Sequence, residues 1–217
     1  MFIGHFAVAF AAKKAAPAVS LGTLILAAEL ADLVWPTLVL AGIEVVKVQP
    51  GVTAMTPLDF VHYPWSHSLV ALCGWAIALA LVYRFARGGR TQALVTLAAL
   101  VLSHWLLDVA SHRPDMPVTL GGAERLGLGL WDSVAATVMV EMAMFAAGIA
   151  LYTRTTKALD RTGTIAFWAL VAFLLALYFG NIFGPPPPSV AALAWTCQGI
   201  WLLVLWGWWI DKHRVAA

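Results

Sequence analysis

Hydrophobic residues run along this chain in long blocks, and polar residues fall in the gaps between blocks or at a few isolated positions inside them. Two blocks, Gly163 to Gly184 and Val190 to Ile210, carry no charge and match the roughly 20 residues that cross about 30 Å of hydrocarbon as a helix. A third runs from Ser66 to Tyr83. A fourth, Thr91 to Ser111, is interrupted by His104 and Asp108, and a fifth, Trp131 to Thr153, by Asp132 and Glu141. The first long block, Leu21 to Val46, contains Glu29, Asp32 and Pro36. Ahead of it lies Phe2 to Ala12, apolar but too short to span.

The pattern predicts an all-α integral membrane bundle. About six transmembrane helices follow a short re-entrant or interfacial amino-terminal helix. The 217 residues form one domain, with a polar-bearing core over residues 1–150 and two carboxy-terminal helices over 151–217. Pro185 to Pro188 reads as a rigid turn between the last two spans.

Composition agrees. Hydrophobic residues make up 62% and charged residues 11%, with a mean hydropathy of +0.85. Soluble domains carry about a quarter charged residues, so a soluble globular chain, a coiled coil and a disordered chain are all excluded. The net charge of +2 gives no footprint for nucleic acid. Cys73 and Cys197 sit in apolar runs and read as small hydrophobes.

The basic residues orient the spans. With the amino end inside, Lys13, Lys14, Arg84, Arg87, Arg90, Arg154, Lys157, Arg161, Lys212 and Arg214 are cytoplasmic, against Lys47, Arg113 and Arg125 outside. That ten-to-three bias is the positive-inside pattern and places both ends in the cytoplasm. Lys13-Lys14 follows the first apolar piece instead of preceding it, which is no cleavable-signal pattern. Trp206, Trp208 and Trp209 read as an interfacial anchor.

The polar minority then carries the chemistry. His104, Asp108 and His112 are spaced i, i+4, i+8 and form one stripe on a helix. A histidine and a carboxylate one turn apart grip one ion from one face; the plain alternative is a pair hydrogen-bonded between helices. Ionisable groups are costly inside a bilayer and usually functional there. At 1.5 Å of rise per residue, His104, Glu141 and Asp32 all lie roughly 20 Å above the cytoplasmic end, with Asp108 and His67 roughly 25 Å up. A re-entrant first helix brings His5 towards the same band. Imidazole with carboxylate suits Zn²⁺ first, then Mn²⁺ or Fe²⁺, as one ion or two.

Gly4-His5, Asp32, Pro64-Trp65-Ser66-His67-Ser68, Ser103-His104 with Asp108, and His112-Arg113-Pro114-Asp115 occur in this order. Over roughly residues 1–150 the set resembles the YdjM-type family of bacterial inner-membrane metal-dependent hydrolases. That family is distantly similar to the all-helical zinc-dependent phospholipase C and single-strand nuclease superfamily. The resemblance implies metal ligands at His5, Asp32, His67, His104, Asp108, His112 and Glu141, with Asp108 bridging. Thr137 stands where the superfamily has a further histidine, so the implied centre is one site of Asp32, His67, His104 and Asp108 with a weaker second.

The expected activity is hydrolysis of a phosphoester on a lipid or lipid-linked substrate. Asp32 serves as ligand and proton acceptor, Asp108 as bridge, and His112 or Glu141 completes a second metal or protonates the leaving group. Two other readings stay open: a transporter or proton relay, and a non-catalytic scaffold with a structural metal. Glu29 reads as support for Asp32 or as a partner of Lys13 or Lys14. Asp132 reads as a helix cap, His62 as an external loop residue near Asp59, and Arg113 and Arg125 as interfacial. His213 reads as exposed. Glu44, Glu124, Asp160 and Asp211 read as ordinary loop or helix-end charges.

Overall fold

The computed structural model describes every residue from Met1 to Ala217. In chain order the helices are α1 (Ile3–Ala15), α2 (Leu21–Ala28), α3 (Leu30–Leu40), α4 (Pro64–His67), α5 (Leu69–Arg87), α6 (Thr91–Ser111), α7 (Val134–Thr155), α8 (Arg161–Phe183), α9 (Val190–Cys197) and α10 (Ile200–Asp211). The strands are β1 (Val45–Val48), β2 (Leu58–His62), β3 (Met116–Pro117), β4 (Arg125–Leu126), β5 (Thr156–Ala158) and β6 (Arg214–Ala216). They pair as three antiparallel two-stranded ladders, β1–β2, β3–β4 and β5–β6. Helices hold 66% of the residues and strands 9%, so the ladders trim the ends of an all-α bundle.

Five helical runs are long and apolar enough to cross a membrane: α5, α6, α7, α8 and the continuous Val190–Asp211 run. The α2–α3 pair, bent by 56°, makes a sixth. Their outward faces carry large apolar side chains, such as Ile77, Leu81 and Val82 on α5 and Ile165, Trp168 and Phe173 on α8. Such a coat suits hydrocarbon and is unfavourable in water.

The first span departs from its expected form. It stops at Leu40 instead of Val46 and breaks at Glu29. Pro36 sits inside α3 without ending it. The block expected from Ser66 becomes the one-turn α4 and a separate α5 beginning at Leu69. Ser68 makes that second start, its side chain accepting from the amide of Ala71.

The short α1 is the most enclosed element, with Ile3, His5, Phe6, Ala9 and Phe10 fully buried. It lies among α7, α2 and α6, inside the bundle and not along its surface. Small residues permit this. A Cβ at Gly148 of α7 would sit 2.9 Å from Ala7 Cα, and one at Gly207 of α10 would sit 2.7 Å from Gly22 Cα. Close backbone approach through small residues is how helices pack in lipid.

At the other end, β5–β6 docks the carboxy-terminal tail. Arg214 is buried, donates to Thr156 and to the Gly163 carbonyl, and lies over the rings of Tyr152 and Phe167. His213, expected to be exposed, is half-buried and its Nδ1 lies 2.7 Å from Asp160 Oδ2. Asp160 caps α8 by accepting from Gly163 N–H at 2.8 Å.

Candidate metal centre

Four separate pieces of chain bring side chains to one place. His5 comes from the first turn of α1, Asp32 from just after the α2–α3 break, His67 from α4, and His104 with Asp108 from α6. His104 and Asp108 are one turn apart, so helical geometry alone puts them on one face. Their Nε2 and Oδ2 atoms lie 3.2 Å apart. His67 Nε2 is 3.3 Å from Asp32 Oδ1 and 3.9 Å from Asp108 Oδ2. His5 Nε2 is 3.0 Å from Asp108 Oδ1, and its ring stacks on His104 with centroids 3.8 Å apart. Two overlapping donor sets result, His5–His104–Asp108 and Asp32–His67–His104, each with its ligand atoms within 4.8 Å of one another.

The orientation of each imidazole has a cause. His104 Nδ1 lies 2.7 Å from the carbonyl oxygen of Ala28. A carbonyl only accepts, so Nδ1 carries a proton and Nε2 of the neutral ring is left with its lone pair facing Asp108 and Asp32. Ala28 is the last residue of α2, where helix carbonyls lack intrahelical partners. The break in the first span thus supplies the acceptor.

His67 is held by a relay. Ser66 Oγ donates to Glu44 Oε2 at 2.6 Å, so at its 2.7 Å contact with His67 Nδ1 the hydroxyl oxygen accepts from the ring. The other oxygen of Glu44 accepts from the amides of Trp65 and Ser66 at 2.8 and 2.9 Å. One buried carboxylate therefore caps the single turn of α4 and fixes the ring at its end.

The residues present fit a divalent cation. His5 Nδ1 and His104 Nε2 are buried and have no hydrogen-bond partner, whereas buried polar atoms are nearly always paired. Asp32 and Asp108 bring two negative charges, and the cation near them is the Met1 amine, which contacts Asp108 Oδ1. Three imidazoles and two carboxylates form a nitrogen–oxygen set suited to Zn²⁺, Mn²⁺ or Fe²⁺. Access is one-sided. The side chains of His5, His67, His104 and Asp108 are 1 to 4% exposed and that of Asp32 is 27% exposed.

Two residues expected in the set lie outside both donor groups. Helix α6 ends at Ser111, so His112 leaves the stripe with an extended backbone, ψ 152°. Its Nδ1 contacts Asp115 Oδ1 at 2.9 Å. Asp115 also accepts from Tyr63 Oη at 3.0 Å and from Arg113 Nε at 3.1 Å, while Arg113 pairs in addition with Asp59. Burial pushes the Asp115 carboxyl up, but the hydrogen bonds from His112, Tyr63 and Arg113 outweigh it and hold the group below its ordinary value. Glu141 Oε2 instead accepts from the amides of Phe2 and Gly4 at 3.0 and 3.1 Å. It anchors the start of α1 and so positions His5.

The remaining charged candidates also find places. Glu29 is buried at the α2–α3 break and does not pair with lysine; Lys13 pairs with Asp211 and the Val19 carbonyl. Asp132 ends a 3-10 turn, Leu130–Asp132, and the cap of α7 is Ser133. His62 is exposed in β2. Sequence reasoning missed Glu44, Ser66 and the Ala28 carbonyl. Of these, a lone acid at the end of an apolar block and a serine before a histidine are the only marks left in the sequence.

Compared with family models, curated proteins and solved structures, the chain matches none, so the reading of the centre rests on its geometry.

Proposed function

We propose that this chain is a multi-pass membrane hydrolase that uses a divalent metal, Zn²⁺ first, to cleave a phosphoester on a lipid or lipid-linked substrate. The observation that carries the reading is the convergence of His5, Asp32, His67, His104 and Asp108, with two buried imidazole nitrogens unpaired. The order of these residues along the chain, which resembles the YdjM-type hydrolases, supports the same reading. A bound divalent cation supplies Lewis-acid polarisation of a phosphoryl oxygen and acidifies water to a pKa of about 7.

The protein's own groups do the rest. Asp32, the one donor that reaches the surface, accepts the proton of the attacking water. Asp108 sets one oxygen beside His5 and the other beside His104. Glu141 serves two backbone amides and His112 is held by Asp115, so neither joins the two donor sets. The apolar flanks of the bundle favour a substrate delivered sideways from lipid. Charge asymmetry of the loops supports an orientation with both ends cytoplasmic, and the resemblance to the YdjM-type family supports a bacterial inner membrane.

The test is metal analysis of the purified protein beside His104→Ala and Asp108→Ala, with hydrolysis of a short-chain phospholipid measured before and after chelation. Bound metal, lost in both variants together with hydrolysis, supports the proposal. Absence of metal in the wild type, or full activity in either variant, overturns it. Metal whose removal lowers thermal stability, in a wild type that hydrolyses nothing, identifies a structural ion.

A further inference from the structure

Helices α1 and α6 run from the metal centre to the opposite end of the bundle. There the Gly88-Gly89-Arg90 turn between α5 and α6 faces the linker between α1 and α2. Gly88 adopts φ +60° and its amide donates to the Arg84 carbonyl at 2.9 Å, which ends α5 sharply. Gln92 Nε2 donates to the Ala15 carbonyl at 2.6 Å and ties the two sides together. Between them lies a cleft of about 860 Å³. Gln92 and Asp108 are separated along α6 by roughly 24 Å at 1.5 Å per residue, so the cleft is distinct from the metal centre.

The lining is one-signed. Lys14, Arg87 and Arg90 all face the cleft, with the hydroxyls of Ser20 and Thr23, and no acidic residue lines it. None of the three cations makes an ion pair. The adjacent Lys13 shows the contrast: it is buried and neutralised by Asp211. Helix α6 adds to the field, because its positive end points here and Arg90 at its N-cap gives no side-chain cap. Three like charges around one space repel each other unless an anion joins them. Arginine is suited to phosphate oxygens through its fork of N–H donors. Ala16, Pro17, Val19 and Ala93 give the cleft an apolar wall beside this polar floor.

We infer that this cleft binds a phosphate group, carried by an anionic lipid headgroup or by a soluble phosphate compound. The volume is far larger than one phosphate and leaves room for a glycerol or sugar attached to it. Basic pockets between membrane helices are known to hold anionic headgroups. The inference stands whether or not the metal centre is catalytic.

The experiment uses the full chain purified in a neutral detergent. Thermal unfolding is followed against inorganic phosphate, short-chain phosphatidylglycerol and phosphatidylcholine of the same chain length. Two variants accompany the wild type. Lys14→Gln/Arg87→Gln/Arg90→Gln empties the cleft of charge, and Arg154→Gln/Lys157→Gln removes two exposed cations that lie outside it. The expected result is a saturable rise in Tm with phosphatidylglycerol, about tenfold weaker in apparent affinity in the first variant and unchanged in the second. A saturable rise with inorganic phosphate alone, lost in the same variant, assigns the cleft to a soluble compound. An equal response to phosphatidylcholine, equal losses in both variants, or no saturable rise with any ligand overturns the inference. If the triple variant does not fold, Arg87→Gln alone, at an exposed helix end, carries the same comparison.

Discussion

His104 Nδ1 donates to the carbonyl oxygen of Ala28 across 2.7 Å, joining the middle of α6 to the point where the first membrane span breaks. The bond decides which nitrogen of His104 faces the two carboxylates. It also shows that the break at Glu29 is part of the centre. The first span bends by 56° there, turning Asp32 towards the histidines and freeing the carbonyl that orients one of them.

His104 belongs to both donor sets, so its loss reaches every ligand. His104→Ala is expected to weaken metal affinity by about a hundredfold, at the upper end of what outer supports cost, and so to lower the metal retained per chain. His5→Ala, at the edge of one set only, is expected to lose less. Elemental analysis of the purified variants at equal protein concentration checks the order.

Glu44 touches no donor atom of the centre yet holds His67 through Ser66. Glu44→Gln is expected to weaken metal affinity by about tenfold, as losses of such outer partners do. Competition with a coloured chelator measures it. Affinity equal to wild type would show that the relay does not orient the ring.

Glu141 separates an anchoring role from a ligating one. Glu141→Leu leaves the amides of Phe2 and Gly4 without their acceptor, at a cost of about 1–3 kcal/mol for each buried group. The expected outcome is a clear fall in Tm with metal still bound at saturating concentration. Metal stoichiometry falling to that of His104→Ala would make Glu141 a ligand instead.

Gly207 meets Gly22 with no space for a side chain. Gly207→Val is expected to cost about 1–3 kcal/mol through forced separation of α10 from α2. Gly74, which has nothing within 4 Å of a Cβ built on it, is the control, and Gly74→Ala is expected to leave Tm within the usual range for surface changes. Thermal unfolding in detergent compares the two.

Asp160 provides a pH dependence away from the membrane. The hydrogen bond with His213 comes first, then the Gly163 amide, and together they hold its carboxyl below the ordinary value. A depressed carboxyl stabilises above its unfolded pKa, and that contribution is lost as pH falls through the folded value. Docking of the β6 tail is therefore expected to loosen on acidification below about pH 4. Hydrogen exchange of the β5–β6 backbone amides reads the loosening, and Asp160→Asn is expected to show it already at neutral pH.

Much of this protein is legible from its hydrophobic blocks, because a membrane span is a long, local signal. Thr91 to Ser111 emerges with the ends its pattern gives. The His104–Asp108 pair is legible for the same reason, since both lie on one helix. His112 shows where local reasoning stops. Its i+8 spacing continues the stripe, but the helix ends one residue earlier and Asp115 turns the ring aside. The break at Glu29 has no proline or glycine beside it, whereas Pro36, the usual mark of a break, sits inside an unbroken helix. Glu44 was invisible for a related reason. An acid at the end of a span has the same sequence whether it faces solvent or caps a helix twenty residues onward.

The burial of α1 also sets an order in time. This helix is made before α2, yet its largest contact is with α7, whose first residue, Val134, follows three membrane segments. Until then α1 has α2 and α6 to pack on but not α7, and Glu141 is not there to hold the amides of Phe2 and Gly4. The anchor that fixes His5 beside Asp108 is therefore complete only once α7 is in place. A firmly held His5 thus reports that the core of the bundle has closed, and a chain without α7 presents that donor on an unanchored helix start.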